Sequence, residues 1–170
     1  MGGSLSNNSK TTRKKAESAF EDLKHDLGNE GIYLVGSCRR EKTIVSDLDV
    51  VICIDEAASD IYARLNDYCG VDMRNRKSIS ILIEYEYQDK LEEIQLDLSL
   101  CIKGILGSYL LHWTGSMKEN IRLRNKAKKF GWKLSQNGLF NNLGDMISLD
   151  KTEEQIYEML DEVYVEPKRR

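Results

Sequence analysis

The stretch from Val35 to Ile54, VGSCRREKTIVSDLDVVICI, limits what this chain can fold into more than any other. It reads as a strand end, a Gly-Ser turn, a short basic helix, then a second strand carrying Asp47 and Asp49. Side chains on a strand alternate faces, so residues two apart share one. Asp47, Asp49, Val51 and Cys53 look one way, and Leu48, Val50, Ile52 and Ile54 look the other. The second set can anchor the strand in a core. The first set puts two carboxylates side by side, and their repulsion is costly unless a cation sits between them. Hard divalent cations such as Mg²⁺ prefer such oxygens.

An Asp-x-Asp triplet alone is more often a plain strand end or turn. Its neighbours give it weight. Gly36-Ser37 follows an apolar run, and Arg39 and Arg40 come directly after. Ser37 is a good N-cap, and free N–H groups at a helix start hold phosphate. Ser37 and Arg40, three apart, share a helix face. Metal-binding carboxylates beside a phosphate-binding turn are the parts that nucleotidyl transfer needs. Gly-Ser-x-Arg-Arg followed by Ser-Asp-Leu-Asp resembles the nucleotidyltransferase palm of DNA polymerase beta and its relatives. Many nucleotidyltransferases share that pattern, so it bears on chemistry more than on substrate.

The chain of 170 residues suits one compact domain or two small lobes, and its 41% apolar content allows a sizeable core. No apolar run approaches a membrane span of ~20 residues. The polar start, MGGSLSNNSK, lacks a signal-peptide apolar region and reads as a disordered tail over residues 1–10. Cys38, Cys53, Cys69 and Cys101 show no C-x-x-C spacing, which argues against zinc and for an intracellular, reducing compartment: the cytoplasm, or a viral factory or virion for a viral protein. Net charge is −3, but Lys118 to Lys133 holds seven basic residues and one acidic. That local +6 leaves about −9 for the rest, an asymmetry that steers a polyanion to one face.

In chain order, Thr11 or Thr12 caps a first helix to about Leu27, with Ala16, Ala19, Phe20, Leu23 and Leu27 as its apolar stripe. Gly31 to Gly36 is a buried strand. Asp55 to Asp60 opens a helix that ends at Gly70. Val71 to Arg74 and a long strand Ile79 to Tyr87 are joined by a polar turn at Asn75-Arg76-Lys77. Tyr87 to Glu93 is a polar connection, and Glu93 to Leu100 a strand with Leu96, Leu98 and Leu100 inward. Asp97 lies between apolar residues there, an odd place for an unpartnered carboxylate. It is either the exposed edge of an amphipathic sheet or, if this strand lies beside that of Asp47, the third member of a carboxylate cluster.

Gly104 to Trp113 reads as a helix, followed by a turn at Thr114-Gly115-Ser116 and a basic helix to Phe130 that buries Leu123, Ala127 and Phe130. Short strands WKLS and GLF meet at Gln136-Asn137, and Met146 to Leu149 could add a third. Thr152 caps a last helix, with Glu153 and Glu154 at its positive end and Ile156, Met159, Leu160 and Val163 on its apolar side.

HWTGS, then Asn120 and Arg124, then KKFGWKLSQNGLF and TEEQIYEMLDEVYVEP resemble the C-terminal subdomain of the family X DNA polymerases, in order and spacing. With the palm signature, the resemblance spans Gly31 to Arg170 and is nearest to the minimal two-lobed viral members. It implies an α+β fold: a palm over 11–103 with a mixed sheet and helices on one face, then a small helical and β subdomain over 104–170 that binds nucleotide and template. It implies no lyase domain. It also implies roles. Asp47, Asp49 and Asp97 would be catalytic and bind two Mg²⁺, with Mn²⁺ able to substitute. Gly36, Ser37, Arg40, Ser46, His112, Trp113, Gly115 and Asn120 would bind the dNTP. Arg122, Arg124, Lys126, Lys128, Lys129 and Lys133 would contact DNA. The implied activity is templated addition of dNTPs to a primer 3′ end in gapped or primer-template DNA, as in short-gap filling during base excision repair, by a monomer working with a DNA ligase. His112 stands where larger members have Tyr, and Met117 where an acidic residue often packs on the base. Two other readings stay open: a template-independent nucleotidyltransferase acting on RNA, protein or a small molecule, and a non-catalytic DNA-end binding module.

Overall fold

The computed structural model describes residues 10–57 and 59–170. All but the last residue of the expected N-terminal tail thus lies outside the described residues. The fold is α+β, built on a four-stranded mixed sheet in the order β2 (Ile32–Leu34), β4 (Asp47–Cys53), β6 (Lys90–Cys101), β5 (Ser78–Tyr87). Strand β1 (Thr11–Thr12) leads into helix α1 (Arg13–Leu27), whose N-cap is Thr12, with its side chain accepting from the Lys15 N–H. The expected stripe, Ala16, Ala19, Phe20, Leu23 and Leu27, is the face that α1 buries, and Gly28 ends it in the left-handed conformation.

Strand β2 (Ile32–Leu34) runs antiparallel to β4 (Asp47–Cys53), with the short helix α2 (Gly36–Arg39) and strand β3 (Ile44–Val45) between them. Helix α2 begins two residues earlier than expected: its N-cap is Val35, not Ser37, because Gly36 takes the positive φ of +62° that lets the chain turn into the helix. Residues 55–57 and 59–60 are turn and bend, so helix α3 (Ile61–Cys69) starts only after Asp60.

Strands β5 (Ser78–Tyr87) and β6 (Lys90–Cys101) form the longest pairing, an antiparallel hairpin with Gln88 and Asp89 at its tip. The polar connection expected over residues 87–93 is therefore mostly strand. Both tip residues have positive φ, 52° and 60°, which closes the ladder with a two-residue turn. Val71 to Arg74 is not a strand, and Asn75 to Lys77 is not a hairpin turn; Met73 instead drops into the core from an irregular segment. Strand β6 pairs β4 in parallel, in register from Asp47↔Gln95 to Cys53↔Cys101.

One face of the sheet carries Leu48, Val50, Ile52, Leu96, Leu98 and Leu100 and packs with α1 and α3 in the main core. The opposite face carries Val51, Cys53 and Cys101 at one end, where they meet Val35 and Tyr109. Tyr109 belongs to helix α4 (Leu106–Thr114), which follows a 3₁₀ turn at Lys103–Ile105. Both sides of β4 are thus buried at that end. The other end of the same face holds the aspartates.

Helix α5 (Met117–Lys129), strands β7 (Lys133–Ser135) and β8 (Gly138–Phe140) and helix α6 (Glu153–Met159) enclose another core of Leu111, Leu123, Ala127, Leu139, Ile156, Tyr157 and Leu160. Phe130 is 43% exposed rather than buried, and stacks on Trp132 with ring centroids 5.0 Å apart. Met146 makes one bridge to Phe140 rather than a third strand. Thr152 caps α6 with a reciprocal capping box through Gln155. That helix stops at Met159, so Val163 is 86% exposed and leaves the apolar side expected for it to Tyr157. Among the described residues no helix is long and apolar enough to cross a membrane.

Candidate active site

Asp47 and Asp49 open strand β4 on the face not covered by α1 and α3. The parallel register sets Asp49 directly beside Asp97. The three carboxylates therefore share one patch of sheet, as alternation along each strand requires. Their charges are felt there. Burial, then the charges of Asp47 and Asp97, pushes the Asp49 carboxyl up to about 7, while Arg40 and the Ser37 N–H pull the other way.

The first residues of α2 close over this patch. A Cβ on Gly36 would run into the Asp49 carboxyl, so only glycine lets the backbone come this near. Ser46 donates its hydroxyl to Asp47 Oδ2 at 3.1 Å. Arg40 donates to the Thr114 carbonyl and lies beside Gly115, which turns α4 into α5 at φ +67°, ψ −153°. The Gly115–Ser116 peptide is cis. Trp113 lines an open cleft of about 440 Å³ together with Arg76, Ser78, Ser80, Asp97 and Ser99.

Three buried polar atoms around this region have no hydrogen-bond partner among the described residues: Ser37 Oγ, Arg40 Nε and Trp113 Nε1. Buried donors without partners are costly, and they cluster where a polar ligand would satisfy them. Next door, Arg124 donates to His112 Nδ1 at 3.0 Å, and Asn120 donates to the His112 carbonyl at 2.8 Å. Burial, and then Arg124, lowers the His112 pKa, so the ring is neutral near pH 7. With Nδ1 accepting, its proton sits on Nε2.

The oxygen donor set suits a hard divalent cation, and a cation would relieve the mutual repulsion registered at Asp49. Among the described residues, no three His, Cys, Asp or Glu side chains are already gathered closely enough to hold a metal ion. The donors fit by type and by face, and their side chains have still to converge.

Residues 109–170 match the family model of the DNA polymerase beta thumb. Over 147 residues, 84% of this chain and 82% of the relative, the sequence is 30% identical to the Repair DNA polymerase X of African swine fever virus. The chain belongs to the family X DNA polymerases. Shorter similarities run to the DNA polymerase/3′-5′ exonuclease PolX of Bacillus subtilis, 30% identical over 61% of this chain and 18% of that protein. The DNA polymerase IV of Saccharomyces cerevisiae is 37% identical over 45% of this chain and 13% of its own length.

For this family X polymerase, the structure brings Asp47, Asp49, Asp97, Gly36, Ser37, Arg40, Ser46, Trp113 and Gly115 around one region, with His112 and Asn120 at its margin. The basic residues on and after α5 differ in what holds them. Arg122 is held by Glu119 at 2.8 Å and by Glu162, and Lys126 by Glu162 at 3.1 Å. Arg124 is turned toward His112. Lys128, Lys129 and Lys133 are exposed.

Sequence reasoning missed a second layer. Arg39 donates to the Thr114 hydroxyl and to Glu153, and Glu153 also accepts from Arg170 at 2.8 Å. The Arg170 side chain is wholly buried, its guanidinium 5.5 Å from the Tyr157 ring and 5.2 Å from that of Tyr164. Glu153 seemed explained by the positive start of α6, which concealed this longer-range role. Gln95 and Ser80, both bonded to Asp97, were missed as well. Gln95 could have been found, since it lies two residues before Asp97 on one strand.

Proposed function

We propose that this chain is a DNA-directed DNA polymerase that adds dNTPs to a primer 3′ end and fills short gaps in base excision repair. Residues 11–103 serve as the palm and 104–170 as the nucleotide- and template-binding lobe. The observation that carries the reading is the in-register pairing of Asp49 with Asp97 on parallel strands, with Asp47 beside them and the Gly36-Ser37 turn above. The relatives named as repair polymerases support the substrate class.

Asp47, Asp49 and Asp97 would hold two Mg²⁺ ions, with Mn²⁺ able to substitute. When bound, such ions lower the pKa of the attacking hydroxyl and neutralise charge on the leaving group. The primer 3′ oxygen attacks the α-phosphorus, the bond to the bridging oxygen breaks, and pyrophosphate leaves. Asp97 helps take up the hydroxyl proton. Ser37 and Arg40 hold the triphosphate, their unpartnered polar atoms supplying donors, while Gly36 allows close approach. Trp113 walls the sugar, and the neutral His112 offers Nε2–H beside it. Asn120 keeps its amide oxygen for a base edge. Arg124, Lys128, Lys129 and Lys133 contact the DNA backbone and guide the template. The enzyme acts as a monomer in an intracellular, reducing compartment, in keeping with its four free cysteines. A DNA ligase would seal its product.

Primer extension on a one-nucleotide gap tests this. The expected result is templated addition with Mg²⁺ and dNTP, lost in Asp49→Ala. Addition indifferent to the templating base, or full activity in that variant, would refute it.

A further inference from the structure

Asp97 does not stand alone on its strand. Ser80 is its register partner across the β5–β6 pairing, and Gln95 precedes it by two residues on the same face. Gln95 is also the register partner of Asp47 on β4, so it stands within the carboxylate patch. The Ser80 hydroxyl donates to Asp97 Oδ1. Gln95 Nε2 lies 3.1 Å from Asp97 Oδ1, 3.3 Å from Oδ2 and 3.2 Å from Ser80 Oγ. The three side chains close a small hydrogen-bonded ring.

We propose that Ser80 and Gln95 are positioning residues that clamp the Asp97 carboxylate for nucleotidyl transfer, an inference that rests on the proposed polymerase function. Two features make the clamp suited to that work. Oδ1 takes two donors while Oδ2 takes one, at the longer distance, so Oδ2 is the oxygen left for an incoming hydroxyl or ion. Both donors are uncharged. A Lys or Arg in their place would compete with a divalent cation for the carboxylate. An amide and a hydroxyl fix its direction and leave its charge intact. Partners of this kind orient metal-binding side chains, and their loss commonly costs 10- to 100-fold in affinity or activity.

The test uses the full chain on a dideoxy-terminated primer-template. Mn²⁺ binding is followed by electron paramagnetic resonance, and single-nucleotide turnover is measured on an extendable primer. Gln95→Leu removes the amide. Ser80→Ala removes the hydroxyl at an exposed position, where the fold is not at risk. Ser80→Thr keeps the hydroxyl, and Asp97→Asn reports on the site itself. The expected result is about tenfold weaker Mn²⁺ binding and about tenfold lower kcat in Gln95→Leu, with the KM for dNTP within about twofold. Ser80→Ala should move the same two quantities in the same direction, and Ser80→Thr should restore them. If Gln95→Leu and Ser80→Ala match the wild type in both readouts while Asp97→Asn loses them, the clamp is refuted and the site stands. If Asp97→Asn also matches the wild type, the polymerase site itself is wrong and the clamp goes with it.

Discussion

Arg39, one residue before the triphosphate-binding candidate Arg40, hydrogen-bonds Glu153, the first residue of α6. The pair joins α2, which begins at Gly36 and Ser37, to the helical second half of the chain. Glu153 is 5% exposed and faces Arg170 on its other side. Removing it would leave two guanidinium groups facing one another with no anion between them. Glu153→Ala should therefore destabilise the fold by about 3 kcal/mol, read from urea unfolding, because a buried charge without its partner is far worse than no charge. Glu153→Gln should cost less, since its amide oxygen still accepts from one of the two arginines.

Asp49 makes the metal-free protein sensitive to pH. Its carboxyl sits at about 7 in the folded chain, against an ordinary 3.8. A raised pKa means the folded state holds the proton more tightly than the unfolded one. The stability this gives is complete below the ordinary value and drains away as pH rises through about 7. Metal-free protein should thus lose stability between pH 4 and 7 from this group. Asp49→Asn should remove that slope and raise stability at pH 8 by on the order of 2 kcal/mol. Thermal melts across pH, with and without a divalent cation, check both claims. The cation should flatten the wild-type slope.

Gly36→Ala should damage activity and stability together. The new methyl would meet the Asp49 carboxyl, and the backbone there has φ +62°. A loss of at least about 1 kcal/mol is expected from the backbone alone. Turnover should fall further than that figure suggests, because Asp49 must move aside. A Gly36→Ala enzyme with wild-type kcat would show that the turn does not touch the chemistry.

The two groups of cations on and after α5 should behave differently on DNA. Lys128 and Lys129 are exposed, whereas Arg122 is tied to Glu119 and Glu162. Charge reversal at Lys128 or Lys129 should weaken DNA binding on every sequence and cut the salt slope by about one per residue. Arg122→Ala should leave that slope nearly unchanged and lower the melting temperature instead. Binding isotherms at several salt concentrations separate the two.

How far the sequence revealed this depended on distance along the chain. The alternation of Asp47, Leu48, Asp49 and Val50 placed both carboxylates on one face without help, because period two is local. The stripe of α1 was equally plain, and its cap was narrowed to Thr11 or Thr12, of which Thr12 is the one used. The β5–β6 tip was hidden, since Gln88 and Asp89 lack the Asn-Gly or Asp-Gly signature of a tight hairpin. Ser37 has the chemistry of an N-cap, yet positive φ at Gly36 starts the helix sooner. The meeting of Asp49 with Asp97 needed the parallel register, which no local pattern encodes. Arg39 with Glu153 needed the packing of the two halves, and the pairing of Arg122 with Glu162 subtracted charge from a helix that looked uniformly basic.

A crystal of the full chain with primer-template, a non-hydrolysable dNTP and Mn²⁺, measured at the manganese edge, tests the central claim most directly. The account requires anomalous peaks about 2.1 Å from carboxylate oxygens of Asp47, Asp49 and Asp97. Manganese bound elsewhere, or Asp97 turned away from an ion held by the other two, would contradict it.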